Sequence, residues 1–88
     1  MEKSVAFERA FVALLAERVE SSGMSHSEFG RRVFGEDSGS RTWRSTRDPE
    51  RARKITLAEV HLAANVLGLD FPTMVWQFTQ EIRAKEGV

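Results

Sequence analysis

Gly23-Met24-Ser25-His26-Ser27-Glu28-Phe29-Gly30-Arg31-Arg32-Val33-Phe34-Gly35, and after a short polar turn Ser40-Arg41-Thr42-Trp43-Arg44-Ser45-Thr46-Arg47, is the stretch that decides the fold. Ser25 and Glu28 stand three apart and predict a capping box, with the serine oxygen accepting a first-turn amide and the glutamate reaching back to the serine amide. Phe29 and Val33 lie one turn apart and bury together on one helix face. Gly30 is out of place inside a helix, where glycine costs about 0.5–1 kcal/mol relative to alanine. That cost makes sense if a second helix crosses close to its backbone. The second half carries a single aromatic, Trp43, among arginines and hydroxyls, and predicts a short helix anchored by that ring. Residues 25–47 therefore predict a helix-turn-helix.

Outward from this pair, the pattern predicts five helices and no strand. The first runs from about Ser4 to Ser21, with Val5, Phe7, Phe11, Val12, Leu14, Leu15 and Val19 on a broad apolar face and Gly23 ending it. Gly35 to Gly39 is a turn, rich in residues that favour irregular backbone. The third helix covers Ser40 to Arg47 and stops before Pro49. Residues 48–55 form an exposed basic loop. A second capping box, Thr56 to Glu59, opens a fourth helix carrying Leu57, Val60, Ala63, Ala64 and Leu67 to a stop at Gly68. The fifth helix, about residues 70–86, starts at Asp70 with Pro72 in its first turn and carries Phe71, Met74, Val75, Phe78 and Ile82 before fading at Gly87. The fold class is thus all-α, one compact five-helix domain over residues 1–88.

Composition agrees with one small globular domain: 88 residues, 41% hydrophobic and 30% charged, leave no material for a second core. With no cysteine the chain has neither disulfides nor thiolate-bound zinc. No stretch has the apolar core of a signal peptide or the length of a membrane span, so a cytoplasmic location is expected. The formal net charge is zero, but it is unevenly placed. Residues 23–56 hold 8 basic and 5 acidic groups, and both flanking segments are net negative. Within residues 39–54, Arg41, Arg44, Arg47, Arg51, Arg53 and Lys54 face only Asp48 and Glu50, a net of +4. Such a patch attracts a polyanion while the acidic flanks keep the remaining surface off it.

Gly-Met-Ser-x-x-Glu-Phe-Gly at residues 23–30 and Leu-x-x-Val-x-x-Ala-Ala-x-x-Leu-Gly-Leu-Asp at residues 57–70 resemble the lambda-repressor-like helix-turn-helix family, which includes phage Cro proteins and many bacterial regulators. The resemblance covers about residues 8 to 78. It implies that the small residue at Gly30 permits close crossing of helices two and three, that Ser25 caps helix two, and that helix three enters the DNA major groove. Two departures stand out. The turn between helices two and three is about three residues longer than the family's, with Phe34 where glycine is common, and Thr46 occupies the place of a large apolar residue.

With Trp43 turned into the core, the outer face of helix three presents Ser40, Arg41, Arg44, Ser45 and Arg47. Arginine grips guanine through its two major-groove acceptors, and short hydroxyls reach a base edge or a phosphate. Arg41 and Arg44, together with Ser40 and Ser45, are the expected base-reading residues. His26 and Ser27, at the positive end of helix two, are expected to meet phosphate. Arg31, Arg47, Arg51, Arg53 and Lys54 complete the expected backbone contacts, while Arg32 is expected on a solvated face.

The chain is therefore expected to be a sequence-specific regulator binding double-stranded DNA, a repressor of phage or bacterial type. The alternative is a protein-interaction module on the same scaffold, such as an antitoxin or phage accessory factor. No catalytic constellation is evident: Ser, His and Asp occur without a nucleophile elbow, and Gly35 and Gly39 lack the lysine of a phosphate-binding loop. His26 and His61 stand far apart with no cysteine partners, which argues against zinc. No cofactor, membrane partner or small-molecule substrate is expected. Trp76 falls 100° to 200° around helix five from the inward stripe. It either packs back on helix one or forms the contact of a symmetric homodimer, which would set two copies of helix three on successive major grooves.

Overall fold

The computed structural model describes residues 2–86, so the expected end of the fifth helix at Gly87 lies outside the described residues. Five helices follow in order, α1 (Lys3–Ser22), α2 (His26–Phe34), α3 (Gly39–Arg47), α4 (Leu57–Val66) and α5 (Phe71–Lys85), and the described residues contain no strand. No helix among them is long and apolar enough to cross a membrane. Helix α2 packs chiefly on α3, α4 lies against α2, and α5 closes on α1 and α4.

One core runs through all five. Val12, Leu15 and Val19 of α1 meet Phe29 of α2, Trp43 of α3, Ala63 and Ala64 of α4, and Met74 and Phe78 of α5, all nearly or fully buried. Phe11 and Phe78 join α1 to α5 with ring centres 4.9 Å apart and planes inclined at 59°, a favourable tilted arrangement. Two expected core residues differ. Leu57, the first residue of α4, is 75% exposed and Phe7 of α1 is 36% exposed, and the two line one apolar groove with Phe11, Val60 and Val75.

The helix ends follow local chemistry. Ser25 Oγ accepts from the Glu28 amide at 3.0 Å, but the return half of that capping box is absent: the Glu28 carboxylate pairs with Arg32, one turn on, at 3.6 Å. Thr56 and Glu59 make both halves, at 3.1 and 2.9 Å. Asp70 caps α5 through the Thr73 amide at 3.2 Å, with Pro72 in the first turn where its missing N–H is harmless.

The α2–α3 crossing is the tightest packing in the fold. A Cβ built on Gly30 would stand 2.7 Å from the Gly39 carbonyl oxygen and 2.8 Å from Ser40 Cα. One built on Gly39 would press on the Gly30 carbonyl oxygen and stand 2.9 Å from Arg31 Cα. Gly39 is therefore no turn residue: it is buried, opens α3, and pairs with Gly30 so that two backbones touch. The turn between them is correspondingly shorter, with the Gly39 amide donating to the Gly35 carbonyl at 2.9 Å.

Candidate nucleic-acid interface

Helix α3 is held from its inner side by Trp43, which is completely buried. The ring packs against Phe29 at 4.9 Å and stacks on Phe34 at 5.8 Å, which explains why Phe34 stands at the end of α2. The Trp43 indole N–H donates to His26 Nδ1 at 3.1 Å, and His26 Nε2 lies 2.9 Å from Glu20 Oε2. An indole can only donate, so Nδ1 must carry the lone pair and Nε2 the hydrogen given to Glu20. His26, expected at a phosphate, is instead half-buried between α1 and α3 with both ring nitrogens occupied inside the protein.

Thr46, in the place of an expected apolar residue, is fully buried and satisfied. Its hydroxyl donates to the Thr42 carbonyl at 2.8 Å and accepts from Arg53 at 3.3 Å, while its own carbonyl accepts from Arg9 Nη2. The outer face of the same helix carries Arg41 and Arg44, both exposed, with Ser40 and Ser45 half-buried beside them. The Ser40 hydroxyl donates to the Ser27 hydroxyl at 3.2 Å, so the starts of α2 and α3 sit side by side.

The segment after α3 is ordered by hydrogen bonds rather than hanging free. Asp48 accepts from the Glu50 amide through its side chain at 2.8 Å and from the Ala52 amide through its carbonyl at 2.7 Å. The Arg53 amide returns to the Ser45 carbonyl at 3.2 Å, and the Ile55 amide reaches Glu8 at 2.8 Å. Between this segment and α3 lies a groove of about 510 Å³ lined by four arginines, Arg41, Arg44, Arg51 and Arg53, by the hydroxyls of Ser38, Thr42 and Ser45, and by one carboxylate, Asp48.

The six cations of residues 39–54 divide. Arg53 turns inward: its guanidinium grips Glu59 with two hydrogen bonds of 3.1 and 2.8 Å and lies 5.4 Å over the Phe34 ring. Its hydrogen bond to Glu59 raises its pKa against the opposing effect of burial. At Glu59, burial pushes the carboxyl up, but hydrogen bonds from Arg53 and Thr56 outweigh it and hold the group below the ordinary glutamate value. Arg47 also folds in, its guanidinium 5.3 Å over the Trp43 ring, and burial followed by repulsion from Arg44 lowers its pKa against the attraction of Glu20. Both were expected at phosphate, and both have their guanidinium groups engaged in packing the fold. Arg41, Arg44, Arg51 and Lys54 are exposed, as is Arg31 on α2, and none of the five has an ion-pair partner among the described residues.

Three partners escaped the sequence reading: Gly39, Glu20 and Glu59 in its second duty. Gly39 differs from a turn glycine only by what crosses it, and the other two act on residues six positions away in a different element. Trp76 is 63% exposed on α5, so it does not pack back on α1. Among the described residues no group of three potential metal ligands occurs. No family model, curated protein or solved structure matches this chain.

Proposed function

We propose that the chain is a sequence-specific regulator of double-stranded DNA, a lambda-repressor-like domain in which α2 and α3 are the helix-turn-helix and α3 lies in the major groove. The observation that carries this reading is the division of α3. One face is locked by Trp43 and Thr46, and the other presents Arg41 and Arg44 without ion-pair partners among the described residues. A rigid short helix with two unengaged arginines three apart suits bidentate grip on guanine. Ser40 and Ser45 flank them, while Ser27, Arg31, Arg51 and Lys54 are suited to the phosphates on either side. A second copy docked through Trp76 of α5 would place two recognition helices about 34 Å apart on one duplex face.

Selection of bound sequences from a random duplex pool tests the proposal, and a palindromic site would report the two-fold pair. Arg41→Ala and Arg44→Ala should each reduce discrimination between the selected and a random duplex by about 1–3 kcal/mol. Equal losses on both duplexes would make these residues phosphate contacts. No enrichment, with the protein folded, would refute DNA reading and leave the basic face to an acidic protein.

A further inference from the structure

His26 of α2 ties α1 to α3 through one uncharged ring. Its Nδ1 accepts from the indole N–H of Trp43 on α3 at 3.1 Å, and its Nε2 lies 2.9 Å from Glu20 Oε2 on α1. The indole can only donate, so the first contact exists only while Nδ1 bears no proton. The second has no such limit, because Nε2 carries its hydrogen in the charged ring too and the bond to the carboxylate then becomes an ion pair. A proton on His26 therefore removes its hold on α3 and strengthens its hold on α1. Trp43 is completely buried, so its N–H is left facing another N–H, away from solvent. The His26 side chain is 26% exposed, and a proton reaches it without the fold opening.

The surroundings offer the indole no second acceptor. On α1 the carboxylate in contact with the ring is Glu20. On α3 the charged neighbour of Trp43 is Arg47, a cation 5.3 Å over the indole and attracted by the same Glu20. On α2 itself Glu28 pairs with Arg32, while from α4 Glu59 is closed on Arg53 and His61 lies against Phe71. Helix α3 has no side-chain cap at its N-terminus, and Trp43 is the one large apolar anchor among its nine residues. Loosening that anchor loosens the helix.

We propose that His26 is an acid-sensitive latch on α3: uncharged it holds Trp43, and protonated it passes to Glu20 and frees the helix to shift. Histidine changes charge between about pH 5 and 8, which is the range in which the latch acts. The regulatory consequence, weaker reading of specific DNA in acid, rests on the DNA reading of α3, whereas the latch itself does not.

The test follows the free wild-type chain by NMR from pH 8 to pH 5, through the His26 ring resonances and the Trp43 indole N–H. Both should move with one midpoint while the helical circular dichroism stays constant. Over the same range, exchange of the Trp43 indole N–H with solvent should quicken about tenfold relative to that of exposed Trp76, the effect of one lost buried hydrogen bond. His61→Gln, which removes the only other histidine, should keep the transition, and His26→Gln, uncharged at every pH, should abolish it. A Trp43 resonance that stays in place while His26 titrates, a His26 ring that takes up no proton by pH 5, or a transition that survives His26→Gln would overturn the latch. If His26→Gln does not fold, the wild-type and His61→Gln titrations decide. With a duplex selected at pH 7.5, discrimination against random duplex should fall about tenfold at pH 5.5. An unchanged ratio would overturn the regulatory consequence, whereas failure to select any duplex would refute the DNA reading and leave the latch to the NMR result.

Discussion

Replacing Gly39 with alanine should destabilise the protein even though it puts a better helix former into a helix. Gly39 opens α3 and is not among the positive-φ glycines, so intrinsic propensity alone favours the substitution by at most about 0.5–1 kcal/mol. Against this stands the backbone of α2. The added Cβ would press on the Gly30 carbonyl oxygen and lie 2.8 Å from its carbon and 2.9 Å from Arg31 Cα. These are main-chain atoms, so no side-chain rotation relieves them and the two helices must separate. Overpacking costs about 1–3 kcal/mol, and contacts this short against main chain belong to the upper part of that range, about 2–3 kcal/mol, which leaves a net loss of roughly 1–2 kcal/mol. For a domain of this size that corresponds to a fall in Tm of roughly 4–16 °C, read by circular dichroism melting. Gly30→Ala meets the same obstacle from the other side, 2.7 Å from the Gly39 carbonyl oxygen, and should behave alike. The double variant should cost less than the two losses added, because one separation of the helices serves both. A raised Tm in either single variant would refute the backbone crossing.

The Glu59 carboxyl, held below its ordinary value by Arg53 and Thr56 against burial, stabilises the fold above the unfolded value of about 4.3 and loses that effect as pH falls through the lower folded value. The Tm advantage of wild type over Glu59→Gln should therefore shrink from about pH 5 to pH 3, and an advantage that persists in acid would contradict the pairing. His26→Leu strands the buried Trp43 indole N–H and should cost about 1–3 kcal/mol in urea denaturation, whereas adding Trp43→Phe should make the His26 change nearly neutral; equal costs in both backgrounds would show that the hydrogen bond is idle. Arg51→Gln or Lys54→Gln should weaken binding to all duplexes and flatten the salt dependence by about one counterion each, while Arg53→Gln should lower Tm and leave that slope unchanged. Trp76→Glu should keep the helical content and convert a dimer into a monomer, with sedimentation equilibrium moving from twice the 10.0 kDa chain mass to that mass; a wild type already at the single mass would exclude the dimer.

Where periodicity and caps act within one helix, the sequence reading and the structure agree to within a residue or two. Ser25, Thr56 and Asp70 cap α2, α4 and α5, and the buried residues of α1 and α5 fall on the apolar stripes read from spacing. Such signals are local, so every partner needed to interpret them lies within one or two turns. Leu57 shows the limit of that logic. It has the right spacing for the core stripe of α4 but, at the first position of that helix, remains exposed at the edge of a groove shared with α1 and α5. Glu28 shows another: the same carboxylate can close a capping box or pair with Arg32 one turn on, and composition does not choose between them.

The arginines show why a binding face is harder to read than a core. A charge count over residues 39–54 treats all six cations as equal, yet their fates are set by the carboxylates and rings that the fold brings to them. Arg53 meets Glu59 from α4 and the Phe34 ring from α2, and Arg47 meets the Trp43 ring one turn back on its own helix. A guanidinium offered a carboxylate and an aromatic face gives up hydration for both, because its flat, weakly hydrated surface loses little in the exchange. Arg41, Arg44, Arg51 and Lys54 find neither among the described residues and remain exposed. The positive field available to a polyanion is thus narrower than the count suggests, confined to the outer face of α3 and the segment that follows it. The same sorting explains Thr46. A hydroxyl is tolerated at a fully buried position because it donates to the Thr42 carbonyl one turn back and accepts from the inward-turned Arg53.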